Sequence, residues 1–223
     1  MTDMEKVKIH GVPETMMQTL FARTILLDQM VGAFLEEHPD ATVVNIACGL
    51  DTRVYRLDNG QVRWYNLDLP EVIDIRRRFL NEHGRISMIA KSAMNESWAE
   101  EIEDPTGEVL VVIEGLVMYL TEADVKKILF IICSRFEHTE IIMEIMNPFI
   151  MRHMKEKSIE ASKARFTWGL KSGKELENMV SGLTWAEEVS LVEGMKELYP
   201  VYKLLGWIQP VKNLSNKLVI LRK

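Results

Sequence analysis

VVNIACGLDTRVYRL, residues 43–57, is the stretch on which the fold turns. A β-branched run ends at Gly49 and passes through the polar turn Asp51-Thr52-Arg53 into a short helical stretch. That is the order of strand, ligand loop and helix found at the carboxyl edge of open α/β sheets. A glycine at this point lets the backbone approach a ligand closely, and a plain structural turn is the alternative reading. A dinucleotide cradle of the GxGxxG type needs three glycines, and the loop offers Gly49 alone, so NAD and FAD are disfavoured.

Outward from that loop, ATVVNIA (41–47), VRWYNLD (62–68), RISMIA (85–90), EVLVVIE (108–114) and EIIMEIM (140–146) alternate with amphipathic helical patterns. Such alternation predicts an α/β fold, a doubly wound, mainly parallel sheet with helices on both faces. Helically spaced apolar residues from Pro13 to Glu37 predict an N-terminal helical cap within residues 1–40. Pro70 opens one connecting helix, Thr121 is the N-cap of another, and Ile128–Cys133 reads as a core segment of that second helix. After Asn147-Pro148 a Met-, Lys- and Glu-rich stretch predicts helices over the end of the sheet, a substrate lid at 148–182 that orders on binding. The tail reads as LTWAEEVSLV (183–192), a helix at 194–207 and a closing strand KLVILRK (217–223), which completes seven strands in a single domain, 1–223.

Composition narrows the function. The 223 residues are 47% hydrophobic and 27% charged, a balance that supplies a sizeable core. A net charge of -6 gives no general attraction to nucleic acid or anionic membrane. No apolar run reaches the length of a membrane span, the amino terminus lacks a signal-peptide core, and two cysteines, Cys48 and Cys133, suit a reducing compartment; a cytoplasmic location is expected. His10, His38, His83, His138 and His153 show no metal-ligand spacing. Of the 14 methionines, Met143, Met146, Met151 and Met154 gather late in the chain, where gap-filling in a core competes with an adaptable apolar pocket.

Asp68 ends the second strand, 19 positions after Gly49, where an acidic side chain can accept hydrogen bonds from two ribose hydroxyls. Capping the helix that carries Arg76-Arg77-Arg78 is its other possible role, and those three arginines read as a solvated helix face. Glycine loop and strand-end acid together imply a nucleoside, and without a phosphate cradle the compatible one is S-adenosylmethionine.

NIACGLDTRVYRL, WYNLDLPEVIDIRRRF and EGLVMYL, in that order, resemble the motifs of the leucine carboxyl methyltransferase family, class I S-adenosylmethionine-dependent O-methyltransferases that include enzymes of aromatic polyketide biosynthesis. The likeness covers roughly residues 15–147. It implies a Rossmann-like seven-stranded sheet and transfer of a methyl group to a carboxylate or hydroxyl oxygen. It further implies that Arg23 grips the methionine carboxylate, Gly49 lies beside the methionine moiety, Asp68 holds the ribose and Glu114 stands near the cofactor's amino group. Tyr119 would face the transfer site or serve as a buried structural tyrosine. Ser92, Ala93 and Met94 stand where many relatives carry an Asp-Leu pair for the adenine, and Asn66 where a glutamate is common. Cys48 is expected to pack rather than react, and Asp51 and Arg53 to pair and shape the loop. The chain is short for members that recognise a protein carboxyl terminus, so a small-molecule acceptor is expected, with no metal. A non-catalytic protein that binds S-adenosylmethionine or S-adenosylhomocysteine is the alternative, and the oligomeric state is left open.

Overall fold

The computed structural model of the protein describes residues 12–153, 165–198 and 215–223. His10, Met154, residues 154–164 of the expected lid and residues 199–207 of the expected late helix lie outside these. Seven strands form one sheet in the order β3-β2-β1-β4-β5-β7-β6: β1 Thr42–Ile46, β2 Arg63–Asp68, β3 Ile86–Ala90, β4 Glu108–Ile113, β5 His138–Ile145, β6 Thr184–Ser190 and β7 Lys217–Arg222. The first five strands pair in parallel, and β7 runs antiparallel between β5 and β6. The chain reverses direction across the sheet between β1 and β4, and a crevice opens there at the carboxyl ends.

The central strands are apolar on both faces because helices cover both. Val109, Val111 and Ile113 of β4 enter one cluster with α4 (Glu122–Arg135), while Leu110 and Val112 enter the other with α1 (Val12–Glu37). A continuous apolar run is the signature of a strand buried on both sides. Thr121 caps α4 in a reciprocal box with Asp124, and Ile128, Leu129, Ile131, Ile132 and Cys133 are buried as expected, whereas Phe130 in the same segment faces solvent. Pro70 opens α3, Pro70–Phe79.

Two helices fix the position of α1 over the site. α2, Arg53–Leu57, follows the glycine loop, and α6, Leu191–Leu198, lies against α1. At Gly194 a Cβ would sit 2.4 Å from the Ala22 carbonyl oxygen, so only glycine lets α6 approach α1 this closely.

In the stretch expected to be helical lid, α5 covers Pro148–His153. From residue 165 onward the described chain is irregular, with a single 3-10 turn at Gly173–Leu176. Leu170, Leu176 and Leu183 are buried in the same cluster as β4 and α4, which makes this part core against the sheet. Its Lys- and Glu-rich composition concealed three leucines at no regular helical or strand period.

Candidate active site

Ala47, Cys48 and Gly49 turn the chain out of β1 at the carboxyl edge. Ala47 has φ 56° and Gly49 φ 50°; left-handed backbone suits glycine, and Ala47 is the one non-glycine residue with positive φ among those described. Gly49 donates its N–H to Asp68 Oδ2 at 2.8 Å, and Leu69 donates to Oδ1 at 2.7 Å. The strand-end acid and the loop glycine, read separately from the sequence, are thus in direct contact. Asp68 is bonded to the first backbone N–H beyond it, while α3 starts from Leu69 without a side-chain cap.

Arg53 is the centre of the polar wall. Its side chain is 1% exposed and meets three carboxylates: Asp28 Oδ1 through Nε at 2.9 Å, Asp51 Oδ2 through Nη1 at 2.6 Å and Glu114 Oε2 through Nη2 at 2.9 Å. The Asp51–Arg53 pair expected from the sequence is present, and it belongs to a larger network. Arg23 lies on the far side of Glu114, with Nε 2.6 Å from Oε1 in an ion pair, and Nη1 donates to Glu144 Oε2 at 3.2 Å. Burial alone would lower the Arg23 pKa; Glu144 and Glu114 outweigh it and raise it. Glu144, fully buried, also accepts from the Gly115 N–H at 3.0 Å and from Asn216 Nδ2 at 2.8 Å.

Two cavities meet at Ala47. One of about 400 Å³ is lined by Arg23, Asn45, Asp51, Arg53, Glu114 and Gly115, with Leu20, Phe21 and Leu50 at its apolar side. The other, of about 180 Å³, is lined by Leu67, Asp68, Ser92, Ala93, Met94, Leu116, Leu120 and Ile128. A Cβ on Gly49 or on Gly115 would meet nothing within 4 Å, so both loops leave open space before them. A charged chamber joined to an apolar slot, with a carboxylate at the junction, suits an amphiphilic nucleoside: zwitterion at one end, flat base at the other. A cleft of about 520 Å³ lies at the opposite, amino end of β4 and β5, and none of the predicted site residues lines it.

Arg23 and Glu114 therefore line the larger chamber and Asp68, Ser92, Ala93 and Met94 the smaller, the two sharing Ala47, while Gly49 lines neither and reaches the site through its bond to Asp68. Tyr119 does not line either chamber. It lies in the 3-10 turn Val117–Tyr119, is 40% exposed and packs its ring 5.3 Å from that of Phe166, so it is not a buried structural tyrosine. Cys48 is buried, and desolvation pushes its thiol up to about 12, which keeps it protonated at neutral pH.

One reading is overturned. Arg76 is not on a solvated face with Arg77 and Arg78; it is fully buried, bonded to Glu82, to the Gly49 carbonyl and to the Asp51 carbonyl. Its helical spacing from Ile73, also fully buried, carried that signal, because residues three apart share a face. Glu144 was also missed. A glutamate inside the apolar run EIIMEIM must find partners when buried, and that rule pointed to it.

Residues 2–133 match the family described as Leucine carboxyl methyltransferase. Over 194 residues, 85% of this chain and 72% of the relative, the protein is 34% identical to the tetracenomycin polyketide synthesis O-methyltransferase TcmP of Streptomyces glaucescens. It is 29% identical over 209 residues, 87% of this chain and 70% of the relative, to the S-adenosyl-L-methionine-dependent methyltransferase dpfgK of Gibberella zeae. Among solved structures, a protein from Thermobifida fusca described as a methyltransferase superposes with a TM-score of 0.66 at 15% identity, covering 96% of this chain and 84% of that one. Magnesium protoporphyrin IX methyltransferase from Synechocystis PCC 6803, with S-adenosylhomocysteine bound, gives 0.57 at 8% identity over 98% and 90%. At such identities these two establish the shared fold.

Proposed function

The chain belongs to the leucine carboxyl methyltransferase family and is an S-adenosylmethionine-dependent methyltransferase; on that premise we propose that it methylates an oxygen, a carboxylate or hydroxyl, of a small-molecule acceptor. The observation that carries the cofactor half of this reading is the groove itself, charged at one end, apolar at the other and bridged by Asp68. Asp68 would accept from the ribose hydroxyls with the lone pairs that Gly49 and Leu69 leave over. Leu67, Ala93, Met94 and Ile128 would enclose the adenine. Arg23 would hold the methionine carboxylate and Glu114 the ammonium, each already oriented by its own ion pairs.

S-adenosylmethionine, when bound, supplies an electrophilic methyl group on a sulfonium. The chain's own share is positioning: the ion-paired wall would fix the cofactor's charged end, and Leu20, Phe21 and Leu50, exposed at the apolar side of the same chamber, would be covered when an apolar acceptor binds. Tyr119, exposed beside Phe166 at the end of the β4 loop, is assigned to orienting the acceptor oxygen.

The 34% identity to an O-methyltransferase supports oxygen as the acceptor atom. We favour a carboxylate. With a pKa of about 4 it is ionised at neutral pH and needs no base, whereas a phenol of about 10 must lose a proton. Methyl transfer from labelled S-adenosylmethionine across a panel of aromatic and aliphatic acids and phenols tests this. An alkali-labile methyl ester, formed at a rate nearly flat from about pH 6 to 8, is expected. An alkali-stable aryl ether would replace carboxylate by hydroxyl, and cofactor binding without transfer to any acceptor would favour the non-catalytic alternative.

A further inference from the structure

A closed circuit of hydrogen bonds runs beneath the glycine loop. Arg76 Nη1 donates to the Gly49 carbonyl at 2.9 Å and Nη2 to the Asp51 carbonyl at 2.8 Å, while the same guanidinium pairs with Glu82 Oε1 at 2.5 Å. Glu82 Oε2 accepts from Asn66 Nδ2 at 3.0 Å. Asn66 Oδ1 accepts in turn from Trp64 Nε1 at 3.1 Å and Asn45 Nδ2 at 3.4 Å, and Asn45 Nδ2 reaches Asp51 Oδ2 at 2.9 Å. The path thus returns to the loop residue from which it started. The side chains of Arg76 and Glu82 are 0% exposed, and neither lines the groove.

We propose that Arg76 and Glu82 are positioning residues that hold the loop from Ala47 to Thr52 in its ligand-ready shape, so that cofactor affinity depends on a pair the cofactor does not touch. This rests on the S-adenosylmethionine reading of the groove. A buried ion pair is weak as a source of stability, since well-packed apolar residues serve as well or better. What apolar residues cannot do is bond two carbonyls of a loop whose Gly49 is left-handed. With both carbonyls engaged below, the Gly49 N–H is left pointing at Asp68, and the carboxylate that lines the smaller chamber is held by the loop. Glu82 fixes the direction of the guanidinium and supplies a carboxylate beside Asn66.

Arg76→Lys tests this directly, because the ammonium keeps a charge for Glu82 but lacks the planar fork that reaches both carbonyls. The double variant Arg76→Met/Glu82→Gln removes both charges together and provides a second test if the single variant does not fold. The readouts are calorimetric affinity for S-adenosylhomocysteine, thermal midpoint, and amide exchange at residues 48–52 in ligand-free protein. In a folded variant we expect the dissociation constant to rise about ten-fold or more. Loop amides should exchange about ten-fold faster before any ligand is added, with exchange in β4 unchanged. A folded variant with a lowered midpoint but wild-type affinity and loop exchange would make the pair merely structural and overturn the proposal. If the wild-type protein itself binds no S-adenosylhomocysteine, the cofactor reading fails first and the proposal fails with it.

Discussion

The two chambers of the groove are built by opposite means. The larger is walled by ions: Arg23, Arg53, Asp51 and Glu114 line it and, with Asp28 and Glu144 behind them, form a connected ion-pair network drawn from α1, the β1 loop, α2, the β4 end and β5. The smaller is walled by Leu67, Ala93, Met94, Leu116, Leu120 and Ile128, with Asp68 at its mouth. Ions demand fixed directions, and their partners must stand at particular positions. An apolar slot demands volume alone, which many side-chain combinations supply. The charged chamber therefore depends on single residues, whereas the apolar one tolerates exchange.

The largest expected effect breaks the charged wall. Arg53→Met leaves Asp28, Asp51 and Glu114 without their shared cation and should cost about 3–5 kcal/mol of folding stability, measured by urea denaturation. A loss below about 1 kcal/mol would show that Arg56, which pairs with Asp28 at 2.6 Å, and Arg23, which pairs with Glu114, already satisfy two of those carboxylates. Asp68→Ala should act at the junction of the chambers, weakening cofactor binding by about 1.5–3 kcal/mol in a folded protein. Unchanged calorimetric affinity would remove Asp68 from the site.

Outside the groove, Glu188 offers a carboxylate whose loss should leave both chambers intact. Burial opposes its ionisation, but Lys217, the Gly173 N–H and the Ser172 hydroxyl outweigh burial and hold it below the usual carboxylate range. A carboxyl depressed in the folded state stabilises above its unfolded pKa, and that stability is lost as pH falls through the folded value. Glu188→Gln should then cost about 1–2 kcal/mol at pH 7, and the difference from wild type should shrink in acid, with cofactor affinity unaltered. A difference that grows on acidification would contradict the assigned direction. The smallest effect is a gain: Ala47→Gly relieves a left-handed alanine and should stabilise the protein by about 0.5–1 kcal/mol after the extra backbone entropy of glycine is counted. A lower thermal midpoint would show that the Ala47 methyl packs to more effect than its backbone strain costs.

The same contrast explains what was legible in the sequence. Gly49 and Asp68 were legible because each carries a specific conformation or charge at the end of a strand, Arg23 and Glu114 came with the family resemblance alone, and the strand periods themselves set the sheet. Arg76 was misread because a run of three arginines looks solvated, although one of them shares the inward face with Ile73. Glu144 was hidden within a strand that satisfied the apolar pattern. Ser92 to Met94 carried no motif: they line the slot through their volume, and Ser92 spends its hydroxyl on the Met94 N–H at 3.2 Å. Residues 165–183 were the least legible because their leucines fill gaps against the sheet from irregular backbone, where no period announces burial.

A single ligand is expected to occupy both chambers. Calorimetry of the purified protein with S-adenosylhomocysteine, and then with methionine and adenosine separately, tests this most directly. One molecule of S-adenosylhomocysteine per chain, bound far more tightly than either fragment and displaced by S-adenosylmethionine, is the expected result. Binding of NAD in its place, or S-adenosylhomocysteine held no more tightly than adenosine alone, would contradict it.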